Sequence, residues 1–300
     1  MLVEALRKEL AIADKIVSEQ AKTVLELGYD KLVFSGAGDS YAAALSAASI
    51  TPKSMVLDPI DLQHGRIISE LISEGYQLVA ISVSGRTKSL VEAAKLWARN
   101  GGKVISITAD TSSPLAKNST MIVKLTYSSL AEGVGAARQL AVLTALSRLV
   151  DGYTPRLVKN LVEELALDLE KLAITGSLES FGVAYFMALK LYETLCMQSI
   201  HVPLEQLMHA PVFGLKPKST VIVFAPSRSS ERFTELINVL KRLGFNVKVV
   251  PGLNNPWDTV VSQTYWVLRI LISVLEAKNV VKPCYMLTGI VNDISKAIYY

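Results

Sequence analysis

Along most of this chain a short apolar run ends in small or hydroxylated residues and then gives way to apolar positions at helical spacing, a repeat that few folds admit. Lys31-Leu32-Val33-Phe34 breaks into Ser35-Gly36-Ala37-Gly38-Asp39-Ser40 and an alanine-rich helical stretch from Tyr41. Gln77–Ile81 breaks into Ser82-Val83-Ser84-Gly85-Arg86-Thr87 and helical spacing over Leu90–Arg99. Met55–Leu57, Val104–Thr108 and Met121–Leu125 are further strand candidates. Strands alternating with helices mean βαβ units and a mostly parallel sheet. The pattern breaks at Asp151-Gly152-Tyr153-Thr154-Pro155, and a helix is expected over Leu157–Leu172. It then restarts, with strands at Leu172–Ile174, Thr220–Ala225 and Asn246–Val250 and helices at Phe181–Met197 and Glu231–Leu243. Three hundred residues suit two such α/β halves at about 100–200 residues per domain. The expected layout is an N-terminal helix over 1–28, a first domain over 29–150, a linker helix over 151–172, a second domain over 173–280 and a tail over 281–300.

Composition narrows the partners. Half the residues are apolar, and 31 basic against 27 acidic side chains leave a net charge of +4 with no basic block or basic–aromatic stripe, so nucleic acid is not an expected partner. The mild positive balance suits an anionic small molecule. Cys196 and Cys284 lie far apart with no C-x-x-C, so neither a disulfide framework nor a zinc site is expected, and a reducing cytoplasm fits. The opening Met1-Leu2-Val3-Glu4-Ala5 reads as an amphipathic helix rather than a signal peptide. Tyr265–Leu275 is interrupted by Arg269 and falls short of the roughly 20 residues a bilayer requires, so it reads as a buried helix and no membrane partner is expected.

The segment Ser82–Thr87 carries the strongest chemical signal. It follows an apolar strand and opens a helix, the place where backbone N–H groups and the helix dipole favour an anion. Three hydroxyls add donors, and Gly85 lets the backbone approach closely; a plain helix N-cap with spare serines reads the same letters equally well. Gly36–Ser40 has the same design, but Tyr41 stands where a dinucleotide fingerprint needs its third glycine, and no acidic residue serves as the ribose partner. With no G-x-S-x-G elbow and no G-x-x-x-x-G-K-[ST] loop, hydrolase and nucleoside-triphosphatase readings lose their main support. The three histidines, His64, His201 and His209, have no partners at metal spacing, so no metal is expected. Lys190 and Glu193 are three apart on one apolar helix, which makes them either an edge salt bridge or a carboxylate kept partly dry for proton transfer.

Taken together these residues resemble the sugar isomerase (SIS) domain family from about residue 28 onward. Within it they are most similar to double-SIS members: the isomerase half of glucosamine-6-phosphate synthase, amino-sugar-phosphate deaminases and archaeal phosphoglucose/phosphomannose isomerases. The family's S-x-S-G-x-T phosphate loop matches Ser82, Ser84 and Thr87, with Val83 and Arg86 where the synthases have glutamine and glutamate. Its C-G-T-S loop matches Ala37-Gly38-Asp39-Ser40, with Ala37 and Asp39 departing, which makes Ser40 a fourth phosphate ligand. Glu132-Gly133-Val134-Gly135-Ala136 loosely follows E-x-G-V-A-S, with Val134 against the sugar. A-L-K-L-K-E matches Ala188–Glu193 with Tyr192 changed, H-G-P matches His209-Ala210-Pro211 and N-L-A-K matches Asp293-Ile294-Ser295-Lys296. Phe186 occupies the place of a synthase active-site glutamate, and Leu2 follows Met1 where the synthase carries its glutaminase cysteine, which weighs against amine transfer from glutamine.

The resemblance implies two tandem SIS domains, each a mostly parallel five-stranded sheet flanked by helices in a flavodoxin-like winding. It implies a hexose 6-phosphate isomerase without metal or cofactor, forming a homodimer with shared active sites. Glu193 is then the base that forms a cis-enediol, His209 assists ring opening and Lys296 steadies the enediolate or forms a Schiff base. Ser40, Ser82, Ser84 and Thr87 hold the phosphate, with Gly38, Val83, Gly85, Val134 and Lys190 as further substrate contacts. An ammonia-using deaminase or synthase-type isomerase and a non-catalytic sugar-phosphate sensor are the alternatives.

Overall fold

The βα repeat builds two parallel sheets in the computed structural model, which describes residues 2–24, 28, 30–131, 133–162 and 172–300. The chain divides into two compact units that are interleaved in sequence. The N-terminal unit comprises Ile12–Ser129, Arg138–Pro155 and Thr288–Tyr300, and the C-terminal unit Met1–Ala11, Leu130–Ala137 and Arg156–Leu287. The start of the chain supplies one helix to each: α1 (Leu2–Ala11) to the C-terminal unit and α2 (Ala13–Ala21) to the N-terminal unit. This corrects the expected single helix over 1–28. The two apolar stripes serve different partners, so the helix breaks at Ile12, and residues 25–27 lie outside the described residues.

The N-terminal unit runs β1 (Leu32–Gly36), α3 (Asp39–Ile50), β2 (Ser54–Val56), α4 (Gly65–Ser73), β3 (Gln77–Ile81), α5 (Lys88–Arg99), β4 (Val104–Thr108), β5 (Met121–Lys124) and α6 (Arg138–Asp151). A last helix, α11 (Val291–Ile298), joins it from the chain's end. The sheet order is β2-β1-β3-β4-β5, all parallel. Central strands covered on both faces read as continuous apolar runs rather than alternating ones. That is why Leu32-Val33-Phe34 and Leu78–Ile81 are wholly buried. One side of the core is the fully buried Trp97 of α5 with Leu62, Ile68, Leu78, Leu90 and Val104. Gln20 of α2 is also buried, donating to the Lys124 carbonyl (3.0 Å) and accepting from the Thr126 N–H (2.9 Å), so α2 is tied to the far edge of the sheet.

The C-terminal unit repeats the winding with β6 (Leu172–Gly176), α7 (Glu179–Leu195), β7 (Ile200–Pro203), α8 (Leu204–His209), β8 (Thr220–Phe224), α9 (Glu231–Arg242), β9 (Asn246–Val250) and α10 (Pro256–Ala277). The order is β7-β6-β8-β9, so four parallel strands stand among the described residues where five were expected. Short β7 escapes sequence reading because Ile200-His201-Val202-Pro203 interrupts its apolar pattern within four residues. By length and composition α10 could cross a membrane, yet 78% of its most apolar window is buried inside the protein, with Trp257 and Trp266 in the core. It is the internal helix against which α1 packs, with Arg7 and Glu276 ion-paired between them. The expected linker helix is absent over 157–162, and its remainder, 163–171, lies outside the described residues.

The cysteines require a second correction. Cys196, the C-cap of α7, is disulfide-bonded to Cys284, which opens a 3₁₀ turn at Cys284–Leu287, with 5.6 Å between the Cα atoms. A separation of 88 residues looked too distant for pairing, but winding the chain through three βα steps returns it to the end of α7.

Candidate active site

In the N-terminal unit the two hydroxyl-bearing loops leave adjacent parallel strands. Gly36 and Ile81 are register partners, and a Cβ at Gly36 would come within 2.9 Å of the Ile81 carbonyl oxygen and 2.8 Å of the Ser40 Cβ. Glycine is therefore what allows the two loops to lie against each other beyond the strand ends, where open α/β sheets bind ligands. The loop after β3 is a tight turn. Gly85 has φ +63°, its N–H donates to the Ser82 Oγ (3.1 Å), and a Cβ there would fall 2.0 Å from the Ser113 Oγ. The Ser82 and Thr87 hydroxyls face each other at 3.1 Å, and the Arg86 N–H donates to the Ser84 Oγ (3.3 Å). Ser40 and Ser82 are buried, Val83 and Thr87 half-buried, and Gly38 and Ser84 exposed. Among the described residues no side chain caps α5 at Thr87 or α3 at Gly38, so neither helix spends its first N–H donors on a cap of its own.

Sequence reading missed two supports of this loop. The first is the turn after β4. The Thr108 hydroxyl donates to the Val83 carbonyl (3.1 Å), and Asp110 faces Arg86 at 3.7 Å. The Ser112 hydroxyl and N–H donate to Asp110 at 2.6 and 2.9 Å, and with Arg86 nearby they hold its carboxyl below the usual carboxylate range. The Asp110-Thr111-Ser112-Ser113 run after a strand was the available signal. The second support is the chain's last residues. Tyr299 bridges antiparallel to Thr87, the Tyr300 N–H donates to the Arg86 carbonyl (3.0 Å) and the Lys88 ammonium donates to the Lys296 carbonyl (2.5 Å). The Lys88 and Lys95 ammonium groups lie 5.9 and 5.6 Å from the Tyr300 ring centre, and its phenol bonds Glu92. That bond raises the Tyr300 phenol above its ordinary pKa, while Lys95 first and Tyr300 second lower the Glu92 carboxyl. The strap carrying the exposed Lys296 is thus stitched to the phosphate-loop candidate by its backbone.

In the C-terminal unit, Glu193 lies in the last turns of α7 with a side chain 34% exposed. The Lys190 ammonium, 1% exposed, donates to its Oε2 at 2.6 Å and stands 5.2 Å from the centre of the fully buried Phe186 ring. The pair is therefore an inward lysine holding an outward carboxylate, rather than a solvated edge bridge, and Lys190 meets Glu193 rather than open solvent. His209 ends α8, is largely exposed and faces Glu205 at 3.5 Å. Arg232 first, and His209 to a lesser degree, hold the Glu205 carboxyl below its ordinary pKa. The Val134 side chain is wholly buried, which leaves its backbone as the part able to meet a ligand, and Glu132 lies outside the described residues. The loop is fixed from within the unit: buried Glu9 accepts from the Leu130 and Ala131 N–H groups (2.6 and 3.1 Å), and the Tyr285 hydroxyl donates to the Gly133 carbonyl (3.0 Å). The structure thus gathers Ser40, Ser82, Ser84, Thr87 and Lys296 in one unit and Val134, Lys190, Glu193 and His209 in the other. Among the described residues no group of three or more His, Cys, Asp or Glu side chains is placed to hold a metal ion.

Comparison with known proteins agrees with this geometry. Residues 29–149 match the SIS domain family model. The chain is 25% identical over 250 residues to a glutamine–fructose-6-phosphate aminotransferase (isomerizing) of Pyrobaculum aerophilum, covering 72% of this chain and 41% of that protein. It is 34% identical over 131 residues to the HTH-type transcriptional regulator HexR of Escherichia coli, covering 42% of this chain and 44% of the regulator. The chain spans less than half the length of the curated relatives it matches. In fold it resembles a glucosamine-6-phosphate deaminase of Thermotoga maritima, with a TM-score of 0.69 at 18% identity over 92% of this chain and 95% of that one.

Proposed function

We propose that this protein is a sugar-phosphate aldose–ketose isomerase acting on a hexose 6-phosphate through a cis-enediol. The observation that carries the reading is the loop after β3. A glycine-pinched turn presents Ser82, Ser84 and Thr87 at the start of a helix that no side chain caps, with Ser40 entering from the neighbouring strand end. Hydroxyl and N–H donors with a helix dipole suit a phosphate dianion. Gripping a remote phosphate turns binding energy into positioning of C1 and C2. Gly38, Gly85 and the Val83 backbone complete that grip, and the Val134 backbone meets the sugar.

Glu193 takes a proton from C1 of the ketose while the C2 carbonyl oxygen gains one, giving the enediol. The same carboxyl returns its proton to C2 as the C1 hydroxyl becomes the aldehyde. Lys190 fixes one carboxylate oxygen and so the direction of the other. His209 shuttles the proton that opens the sugar ring, and Lys296 steadies the enediolate oxygen. The exposure of His209 supports a homodimer in which a partner copy completes the site, and the chemistry calls for neither metal nor organic cofactor. The protein works in the cytoplasm on this reading.

Incubation with fructose 6-phosphate in D₂O, followed by proton NMR, tests the reading directly. Glucose or mannose 6-phosphate carrying deuterium at C2 is the expected product. Glu193→Gln should lower turnover by several orders of magnitude while binding persists, and a Glu193→Gln protein of undiminished activity would falsify the assignment. Two other readings have specific support. The Pyrobaculum relative is by name an aminotransferase for fructose 6-phosphate and the Thermotoga fold neighbour a glucosamine-6-phosphate deaminase, so glucosamine 6-phosphate formed only with added ammonium would move the protein to that branch. The HexR similarity supports a sensor, for which saturable binding without any exchange at C1 or C2 is the signature.

A further inference from the structure

The disulfide serves none of the chemistry above, and its surroundings are those of a reactive site rather than a buried staple. Cys196 is exposed and Cys284 half-buried, bonded to each other, and Cys284 lines an open cleft of about 450 Å³. Val280, Val281 and Leu287 give the cleft apolar walls, and the basic residues Lys278 and Lys282 line it too. Cations beside a sulfur stabilise the thiolate that departs when a disulfide is attacked. Cys196 has φ +49° at the helix C-cap, a conformation that ordinarily selects glycine or asparagine. The chain accepts a non-glycine residue there, and that residue is the one whose sulfur is bonded.

The bridge also stands at a junction. The two residues after Cys284 hold the loop at Gly133: the Tyr285 hydroxyl donates to the Gly133 carbonyl, and the Met286 side chain lies where a Cβ at Gly133 would fall. Past Leu287 the chain leaves the C-terminal unit and becomes the strap, whose Tyr299 and Tyr300 bond the phosphate-loop candidate and whose helix carries Lys296. The root of the strap is tied covalently to α7, the helix of Glu193.

We propose that Cys196–Cys284 is a thiol-exchange site at which a dithiol reductant controls how firmly the segment from Lys278 to Tyr300 is held. A thiolate of the reductant attacks one sulfur, breaking the S–S bond and forming a mixed disulfide as the other cysteine leaves as a thiolate. The reductant's second thiolate then displaces the remaining cysteine. Two protein thiols and one oxidised cyclic disulfide result, with two electrons and two protons passing from the dithiol to the protein. The reduced protein keeps both units but loses the covalent anchor of Tyr285, Met286 and the strap.

The test uses the full chain purified without reductant. Thiol titration in denaturant should find no free thiols before, and two after, brief treatment of the native protein with dithiothreitol. Hydrogen–deuterium exchange should then quicken at least several-fold over 278–300, with the 130–137 loop following and the β3 and β8 strands unchanged. The melting temperature should fall by roughly 10 °C. Cys284→Ser should reproduce the reduced state and ignore the reductant. Only a parallel turnover assay rests on the isomerase reading. Running the exchange in Glu193→Gln as well separates a failure of that reading from a failure of this one. Two free thiols in the air-oxidised protein, or equal exchange over 278–300 in both redox states, would overturn the proposal.

Discussion

The helices that follow the first strand of each unit start with the same unusual backbone and use it to opposite ends. Gly38 precedes α3 at φ 58° and ψ −126°, and Leu178 precedes α7 at φ 50° and ψ −133°. The strands behind them are equivalent in sheet order, as are the loops after β3 and β8. In the N-terminal unit the Gly85 and Arg86 N–H groups bond the loop's own serine hydroxyls, and the N-cap residues Thr87 and Gly38 give their helices no side-chain cap. In the C-terminal unit the chain supplies the anion itself: Glu179, 3% exposed, accepts the Ser227 N–H of the β8 loop at 2.6 Å. The Ser180 hydroxyl donates to the Ala225 carbonyl, and Ser230 caps α9 by accepting the Phe233 N–H at 3.1 Å. On the proposed reading, one fold therefore yields a binding turn or a turn closed by the chain's own acid, depending on whether a side chain caps it from within. A leucine at positive φ, a strain on the order of 1–3 kcal/mol, is tolerated on the closed side.

That contrast breaks most readily at Gly85. Gly85→Ala puts a Cβ 2.0 Å from the Ser113 hydroxyl at a positive φ, so the turn must open. With two charge-assisted hydrogen bonds lost at about 1.5 kcal/mol each, affinity for fructose 6-phosphate should fall roughly 100-fold in calorimetry while the second unit is untouched. The mirror experiment is Glu179→Ala. Losing a buried carboxylate that holds a backbone donor should cost about 2–3 kcal/mol of stability, read as a chemical-denaturation midpoint, with sugar-phosphate affinity unchanged. Because the emptied turn regains the N-terminal unit's character, inorganic phosphate should raise the variant's melting temperature more than the wild type's. If Glu179→Ala instead weakens substrate binding as Gly85→Ala does, the two turns do not divide the labour as described.

How far this division could be read from sequence follows from what each feature leaves in the letters. Gln77–Ile81, Val104–Thr108 and Asn246–Val250 are strands over the predicted residues because their apolar runs are bounded by turn residues on both sides. The Ser82–Thr87 turn was legible for the same reason, with hydroxyls and a glycine at a strand-to-helix junction. The internal plug was not. An acid in the first turn of a helix is ordinary, so the letters do not show that Glu179 accepts a donor of the β8 loop. Nothing in the sequence links Tyr300 to Arg86 or Cys284 to Cys196, which are contacts of chain return rather than of local pattern. The Lys190–Glu193 pair was visible as spacing, but its inside-out character depends on Phe186 and the α10 residues around the lysine stem.

A smaller effect sharpens the comparison at the helix starts. Ser230→Ala removes the cap of α9 and should cost about 1 kcal/mol of stability, or roughly 2–4 °C in melting temperature. Thr87→Val, at the corresponding start of α5, removes no cap. It should leave the melting temperature within about a degree and instead weaken sugar-phosphate binding by roughly 5–10-fold, one hydroxyl donor's worth. Equal losses of stability in both variants would mean that α5 is capped by Thr87 after all.

The least effect belongs to Asp110. Its carboxyl is held below the ordinary range by Ser112 first and Arg86 after it. A depressed folded-state value means the carboxylate's contribution is present above its unfolded value, near 3.9, and is lost as the pH falls through the lower folded value. The group is open to solvent and its pair with Arg86 is long, so the unit should not unfold as it titrates. What should change is the buttress of the phosphate turn. Carboxyl-carbon NMR should place the Asp110 midpoint below that of an unstructured aspartate, and Ser112→Ala should move it upward. A Ser112→Ala protein whose Asp110 midpoint does not move would mean that the turn after β4 contributes nothing to the setting of the binding loop.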